Sequence, residues 1–489
     1  ATSRTQGALT SQFQYDPVGR LLAQVAGHLG VGASAEPVIA RRYEYDEGGN
    51  LLAIDDKRNG RKTYSYDVIG RIMSAVQPDL AEHFAFDPAH NLLDETVASA
   101  GRVEGNRVRV FEDKRYDYDA HGNLTEKLTG KHTRLKLEWN AAHQLVKSVV
   151  TRNAQEPNPT AQTVKYAYDP FGRRIAKRDG FGMTRFVWDG NRLLCEARGK
   201  WERTYVYEPD SFVPLAQLDS VADDGDNQRR SEVHHIHTDH LGTPNEVTDQ
   251  QGEIVWATEY KAWGNVLRVV QAAPKRHSLA AVEAEAANDV AQFQPIRFLG
   301  QYHDSETGLN YNRFRYYDAD CGRYVSLDPI GLAGGTNSYQ YAPNPSGWVD
   351  PLGLTKTPLC PCGGANGQSG VNPLPPGVPP SLLDSTGKLP PGIGGLGTPI
   401  SMPASPIPNA TAEAFAQAAF NGQIPNKISP IKSGGSWVAK LPDNSVVTYR
   451  VAGDASASTA AATATVEVNS AAVKAINNGQ VAKFKFPLQ

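Results

Sequence analysis

A chain of 489 residues is too long for one ordinary core, and its 45 glycines, 33 prolines and 20 tyrosines favour many short strands and turns over long helices. No stretch approaches the roughly 20 apolar residues of a membrane span, and the opening ATSRTQGALTSQF lacks the basic and apolar regions of a signal peptide. The formal charge of -3 hides an asymmetry: residues 355–489 carry nine Lys and Arg against five Asp and Glu, or +4, which leaves -7 for the rest, and a basic module of this kind points to an anionic target such as nucleic acid.

The N-terminus falls amid repeat-like sequence, so the expectation is a piece of a longer chain whose delivery module lies elsewhere. Cysteines 195, 321, 360 and 362 match no four-ligand zinc spacing and argue against a disulfide framework. No cofactor and no metal site is expected.

From residue 13 one short sentence is rewritten many times. It reads FQYDPVGRLL at 13, YEYDEGGNLL at 43, YSYDVIGRI at 64, FAFDPAHNLL at 84, YDYDAHGNL at 116, YAYDPFGRRI at 166 and FVWDGNRLL at 186, with a weaker LEWNAAHQL around 139. Successive copies lie 19 to 32 residues apart, enough for about two strands and two turns. Aromatics at alternate positions, such as Tyr166 and Tyr168, share one strand face, and Asp-Pro-x-Gly then supplies a tight turn in which Gly172 permits a positive φ. One such hairpin cannot bury its aromatic face alone, so copies must stack into a continuous, spiralling antiparallel sheet.

This sentence resembles the YD repeat of Rhs proteins and of insecticidal toxin-complex C subunits, over roughly residues 10–354. The resemblance implies a mostly β chain: a YD-repeat sheet forming part of a hollow cocoon over 1–295, then a small α+β toxin domain. The tract HHIHTDHLGTPNEV invites a metal reading through His234, His235, His237 and His240. It is similar to shell sequence of the same family and carries no carboxylate at an obvious ligand spacing, which favours structural histidines near a turn. Residues 268–294 break the aromatic rhythm with Ala and Glu and read as an inserted helix or loop.

Residues 296–354 run from IRFLGQYHDSETGLNYNRFRYYDADCGRY through DPIGL to DPLGL. This stretch is similar to the end of the Rhs core, which in that family terminates at DPxGL and is cut by the shell itself after the final leucine. The resemblance assigns Asp328 and Asp350 as the two carboxylates, Arg323 as the arginine that orients or tunes one of them, and a cut between Leu354 and Thr355. Two carboxylates held together share one proton, so one activates water while the other protonates the leaving group. The plainer alternative makes both Asp-Pro pairs turn residues only, like Asp16-Pro17 and Asp169-Pro170.

Residues 355–410 are a Gly/Pro-rich tract that reads as a tether. The toxin domain, 411–489, is expected to open with a helix over 411–421, stopped by Gly422, and to continue with strands from 436, 445, 463 and 483 and a possible helix over 470–477. Alternation places Trp437, Leu441, Val447, Tyr449, Val451, Val466, Val468, Phe484 and Phe486 on a core face. Lys440, Thr448, Arg450, Thr465, Glu467, Lys483 and Lys485 fall on the other. That layout resembles small ribonuclease toxins, and with no histidine in the tail the chemistry would rest on Lys440, Arg450, Thr465 and Glu467: cations for the phosphate, Glu467 for the 2′-hydroxyl proton. Arg450, the run Ser456 to Thr459 and Glu467 echo the order of an ADP-ribosyltransferase, but within a cramped 18 residues. A membrane-active tail is a further alternative, and a zinc deaminase is disfavoured because no His-x-Glu precedes a Cys-x-x-Cys. The family resemblance implies a cognate immunity protein, a secretion apparatus engaged through the missing N-terminal region, and contact-dependent delivery, such as type VI secretion, into the target cytoplasm; the ribonuclease-like layout of the tail implies RNA as its substrate.

Overall fold

The computed structural model describes residues 2–28, 36–93, 103–222, 229–271 and 293–358, and parts of the tail at 400–402, 409, 412–413, 415–416, 427–431, 435–441, 444–452, 463–470, 473–474 and 480–488. Most of the expected tether, most of the 268–294 insertion and Gly422 lie outside these residues. The chain divides into two compact units, Ala1–Ser326 with Tyr339–Gly367, and Leu327–Ser338 with Gln368–Gln489.

In the first unit the repeats build antiparallel meanders. Eight strands from Ser3–Gln6 to Leu80–His83 pair each with its successor, and fifteen more do so from Val110–Phe111 to Val266–Gln271. Neither sheet closes on itself. All copies of the sentence but FVWDGNRLL, whose Asp189 pairs directly with Arg192, form the same turn. Asp16 Oδ1 accepts the amides of Val18 (3.1 Å) and Arg20 (2.8 Å), Asp67 those of Ile69 and Arg71, and Asp169 those of Phe171 and Arg173. Gly172 has φ +73°, as the turn requires.

The remaining polar atoms stitch copies together. In five copies the second aromatic donates back to a carbonyl of the preceding copy: Tyr45 to Leu21, Tyr66 to Leu51, Trp139 to Leu124, Tyr168 to Leu145 and Trp188 to Arg174, at 2.6–3.1 Å. Where an arginine follows the turn glycine it reaches forward. Arg20 bonds Asp16 and the Asp46 carbonyl, and Arg71 bonds Asp67 and the Asp87 carbonyl. Asn50, in that place, stays within its own turn, whereas Asn123 also reaches His143 of the next copy at 3.0 Å.

The aromatic face is covered by the segment that follows the repeats. Its short strands Tyr302–Asp304, Leu309–Asn312, Arg315–Asp318 and Arg323–Tyr324 form a four-stranded sheet with nearly every residue buried. Tyr302 meets Phe186 edge-on, Tyr311 meets Trp188, and Tyr316 meets Trp139 and Tyr166. Charges cross this contact in matched sets. Buried Arg174 pairs with buried Asp304, Lys177 bonds Asp304 and Glu306 at 3.1 Å, and Lys127 bonds Asp318 and Asp320 at 2.7 Å. Removing one member of such a set leaves a buried charge uncompensated, a loss of about 3–5 kcal/mol.

The histidine tract is structural among the described residues: His234 Nδ1 faces Asp219 at 3.0 Å, His237 Nε2 faces Thr248 Oγ1 at 3.0 Å, and His240 Nε2 donates to the Ser346 carbonyl at 2.9 Å.

The tail carries a six-stranded sheet in the order Ile400–Ser401, Ala482–Pro487, Thr463–Asn469, Val446–Arg450, Trp437–Lys440, Lys427–Pro430, antiparallel except for the parallel pairing of Ile400–Ser401. Two strands thus join the four that alternation shows. Ile400–Ser401 lies within the stretch expected as tether, and its Ile400 is buried. The core face carries buried Val447, Tyr449, Val466, Val468, Phe484 and Phe486. Ala412, Phe415 and Ala416, on helical backbone, are fully buried, and the Phe415 ring meets Phe484 at a tilt, 4.7 Å between centres, and Phe486 edge-on at 5.3 Å. Of the possible second helix, Val473 and Lys474 are helical.

Two buried histidines set an acid limit on the first unit. Burial, reinforced by Arg41, pushes His237 down to about 3, and burial with Arg297 pushes His303 down to about 4. Both rings are neutral in the fold yet bind a proton in the unfolded chain below about 6.5, so the stability they lend is complete above that pH and is lost as pH falls from about 6.5 toward 4 and 3. Asp219 acts only lower: burial would raise it, but Arg203 and His234 hold it at about 2, so its contribution is lost below 3.8. Urea midpoints should therefore drop between pH 7 and 4.5, and a His237→Gln, His303→Gln variant should show a flatter slope. An unchanged slope in that variant would refute the assignment.

Candidate functional site

The expected junction is a turn of the same chemistry as the repeats. Asp350 Oδ1 accepts the Leu354 amide at 2.9 Å, the i to i+4 bond made by Asp16 to Arg20, and the Asp350 carbonyl faces the Gly353 amide. What differs is the surroundings of the second carboxylate oxygen. Asp350 is 1 % exposed, its Oδ2 accepts the Tyr324 hydroxyl at 2.9 Å, and the Arg315 guanidinium lies 3.4 Å away. Arg315 sits over the Tyr324 ring, 3.6 Å from its centre, and its Nε donates to the Gly353 carbonyl at 2.5 Å. Asn312 Nδ2 donates to the Tyr324 hydroxyl at 2.7 Å and to the Asp350 carbonyl at 2.8 Å.

Leu354 is buried, and beyond it the chain returns beside the segment it came from: Val349 pairs with Thr357 and Trp348 with Pro358. The Leu354–Thr355 peptide therefore lies in a hairpin whose opposite strand leads straight into Asp350. Thr355 is half-buried, and Lys356 Nζ donates to Gln340 Oε1 at 2.6 Å.

Arg323, expected beside an aspartate, sends Nη2 to Asn91 and to the Asn106 carbonyl, both at 2.8 Å. The arginine at Asp350 is Arg315. Sequence offered a weak signal for it, since both arginines lie in strands of one small sheet and only the hairpin register decides which faces the turn: Arg323 pairs with Asp318, Arg315 with Asn312. Tyr324 and Asn312 had no sequence signal. Asp328 belongs to the second compact unit, where it is buried, its Oδ1 accepting the Ile330 amide at 3.1 Å and its carbonyl the Gly331 amide at 2.9 Å.

In the tail, register sorts the candidates into rows. Arg450 pairs with Thr465, which pairs with Lys485; Thr448 pairs with Glu467, which pairs with Lys483. Arg450 is half-buried and Glu467 exposed, but Thr465 is only 2 % exposed, so its hydroxyl is not offered to a ligand. Lys440, expected beside Arg450, lies opposite Val446, four residues or about 13 Å along the strand from Arg450. The cation beside Arg450's row is Lys485. The run Ser456 to Thr459 lies outside the described residues.

The model of a family described as RHS protein matches residues 233–270. The chain is 41 % identical over 377 residues to "Double-stranded DNA deaminase toxin A" of Burkholderia cenocepacia, covering 72 % of this chain and 25 % of that protein. It is 35 % identical over 382 residues to "Toxin protein Tse5" of Pseudomonas aeruginosa (70 % and 27 %), and 31 % identical over 387 residues to "Probable deoxyribonuclease RhsA" of Dickeya dadantii (75 % and 24 %). It thus spans about a quarter of the length of these relatives. Among solved structures it is similar to TcdB2-TccC3 without its hypervariable C-terminal region, with a TM-score of 0.47 and 19 % identity over 72 % of this chain and 18 % of that one.

Close packing makes the Asp350 turn sensitive to a single methyl group. A Cβ on Gly300, at φ +76°, would stand 1.9 Å from the Pro351 carbonyl oxygen. Gly300→Ala should therefore cost at least about 1–3 kcal/mol and strip hydrogen-exchange protection from the Leu354 amide. A variant with wild-type melting temperature and a protected amide would contradict this packing.

Proposed function

Because the chain belongs to the Rhs/YD-repeat family of polymorphic toxins, we propose that it cuts itself after Leu354 and frees a tail that acts as a small, histidine-free ribonuclease. The observation that carries the first part is the Asp350 turn, where a buried carboxylate is tied through Leu354's amide to the peptide to be cut. Tyr324 and Arg315 hold the second oxygen of Asp350, and Arg315 also fixes the Gly353 carbonyl. We assign the role of second carboxylate to Asp328, the aspartate of the preceding DPIGL motif. One of the pair takes a proton from water as its oxygen attacks the Leu354 carbonyl carbon, the other protonates the Thr355 nitrogen, and the peptide bond breaks. The reaction runs once per molecule.

For the tail, Arg450 and Lys485 supply cations in one cross-strand row, with Glu467 and Lys483 paired in the next. Arg450 can grip a phosphate with two donors, and Glu467 is placed to accept the 2′-hydroxyl proton. The names of relatives cover DNA deamination, a probable deoxyribonuclease and, in a Bacillus protein, a tRNA-specific nuclease. No described helix is long and apolar enough to cross a membrane. We also propose a cognate immunity protein, and delivery from a secretion apparatus into the target cytoplasm.

Denaturing gels should show two pieces for the wild type and one for Asp328→Asn, Asp350→Asn and Arg315→Met, while Arg323→Met still cuts. Two pieces in both aspartate variants would remove this mechanism. The freed tail should degrade total RNA and spare DNA, with Arg450→Ala and Lys485→Ala each losing about 100-fold or more and Lys440→Ala much less. Label transfer from NAD to extract proteins without RNA loss would favour a transferase instead.

A further inference from the structure

The hairpin of strands Arg174–Asp179 and Gly182–Asp189 ends in Gly180 and Phe181. The Asp179 carboxylate accepts the Phe181 and Gly182 amides at 2.8 and 2.9 Å and bonds Arg198 at 2.8 Å, so the tip is fixed and its own charge is matched. Phe181 is nevertheless 90 % exposed, and behind it on the outer face Met183 and Val187 are 45 % and 52 % exposed. Hairpin tips of this edge are covered elsewhere in the wall. Those of the first sheet bond the second sheet and its turns: the Ala8 amide to the Gln250 carbonyl at 3.0 Å, Arg58 to the Thr258 carbonyl at 3.1 Å, and Asp79 to Arg268 at 2.7 Å. At Phe181 and at the neighbouring tip the edge is open among the described residues, since a Cβ on Gly180 or Gly199 would meet nothing within 4 Å.

Charge says what the open edge fits. Residues 145–207 carry twelve Lys and Arg against six Asp and Glu, although residues 1–354 together stand at -7. Three of these cations, Arg174, Lys177 and Arg203, are paired with carboxylates outside the segment. On the outer face, register stacks Lys147, Lys165 and Arg178 in one cross-strand row that ends on Met183, and Arg185 stands in the next row, opposite Ala176. Like charges directly opposite one another destabilise a sheet. Lys147 bonds Glu138 at 2.6 Å, but exposed Lys165, Arg178 and Arg185 have no carboxylate within ion-pair distance among the described residues. The row of Arg185 reaches a carboxylate, Glu202, only two strands further on, roughly 10 Å away.

We propose that this edge docks on an anionic phospholipid bilayer, with Phe181 and Met183 entering the boundary between headgroups and acyl chains while Lys165, Arg178 and Arg185 lie against lipid phosphates. Phe181 stands three residues beyond Arg178 toward the tip, roughly 10 Å at strand rise, which matches the ~5–10 Å to which interfacial apolar groups enter while their cations stay among the headgroups. A nucleic acid would answer the cations but leave the aliphatic Met183 and Val187 in water. Neither the cleavage turn nor the tail takes part.

The test is co-sedimentation of the whole chain with vesicles of pure phosphatidylcholine and of phosphatidylcholine mixed with phosphatidylglycerol, with a DNA duplex and total RNA as the competing polyanions. The chain should bind the mixed vesicles about tenfold or more tighter than the neutral ones, and less tightly as salt rises. Phe181→Ser should weaken that binding about tenfold, and a Lys165→Gln, Arg178→Gln variant should weaken it further and flatten its salt dependence. All three positions are exposed, so melting temperatures should stay at the wild-type value. Val68→Ser, at an equally exposed tip of the opposite edge, should bind as the wild type does. Equal binding to both kinds of vesicle, undiminished binding in Phe181→Ser or in the double variant, or capture of DNA or RNA without binding to vesicles would each overturn the assignment.

Discussion

An aspartate that accepts two amides of its own turn is the interaction on which the fold depends. A side-chain oxygen facing the i+2 and i+4 amides closes the hairpin locally and satisfies donors that the bulge at each aromatic would leave open. The bulge turns the second aromatic so that its hydroxyl or indole nitrogen reaches the preceding copy, and an arginine after the glycine reaches the next. Copies that carry both groups, such as Tyr66 with Arg71 and Tyr168 with Arg173, are thereby bonded in both directions, and the meander extends by repetition. The DPLGL turn reuses this device. The bland reading of its aspartate as a turn residue and the catalytic reading therefore do not compete, because one oxygen of Asp350 makes the turn and the other faces Arg315 and Tyr324.

A second constraint follows from the first. A row of hairpins presents a continuous aromatic face, and the strands at 302–324 bury it. They carry charge with them, and Arg174, Lys177 and Lys127 each find carboxylates from a segment more than 120 residues away in sequence. Such sets add little net stability but penalise any misplaced partner, which fixes where the terminal segment docks and so where Asp350 comes to rest.

The repeat was legible in the sequence because its information is local: the turn aspartate, the glycine with positive φ and the alternating aromatics all lie within about ten residues. The same holds for the two faces of the tail sheet, where Phe484 and Phe486 are buried and Glu467 is exposed as alternation implies. What sequence could not supply was register between distant strands. That register places Arg315 and not Arg323 at Asp350, separates Lys440 from Arg450, brings Lys485 into Arg450's row, and adds Ile400–Ser401 to a sheet from inside a Gly/Pro-rich stretch. The buried pairs of the wall, such as Arg174 with Asp304, were hidden for the same reason.

The central claim is that a repeat-type turn has become the place where the chain is cut, and the exact mass of the pieces tests it most directly. Intact mass spectrometry of the purified chain should give one fragment ending in the Gly353-Leu354 carboxylate and one beginning at Thr355, their masses summing to the whole chain plus one water. Fragments that meet at any other bond, or a chain that stays whole in a fully assembled protein, would contradict it.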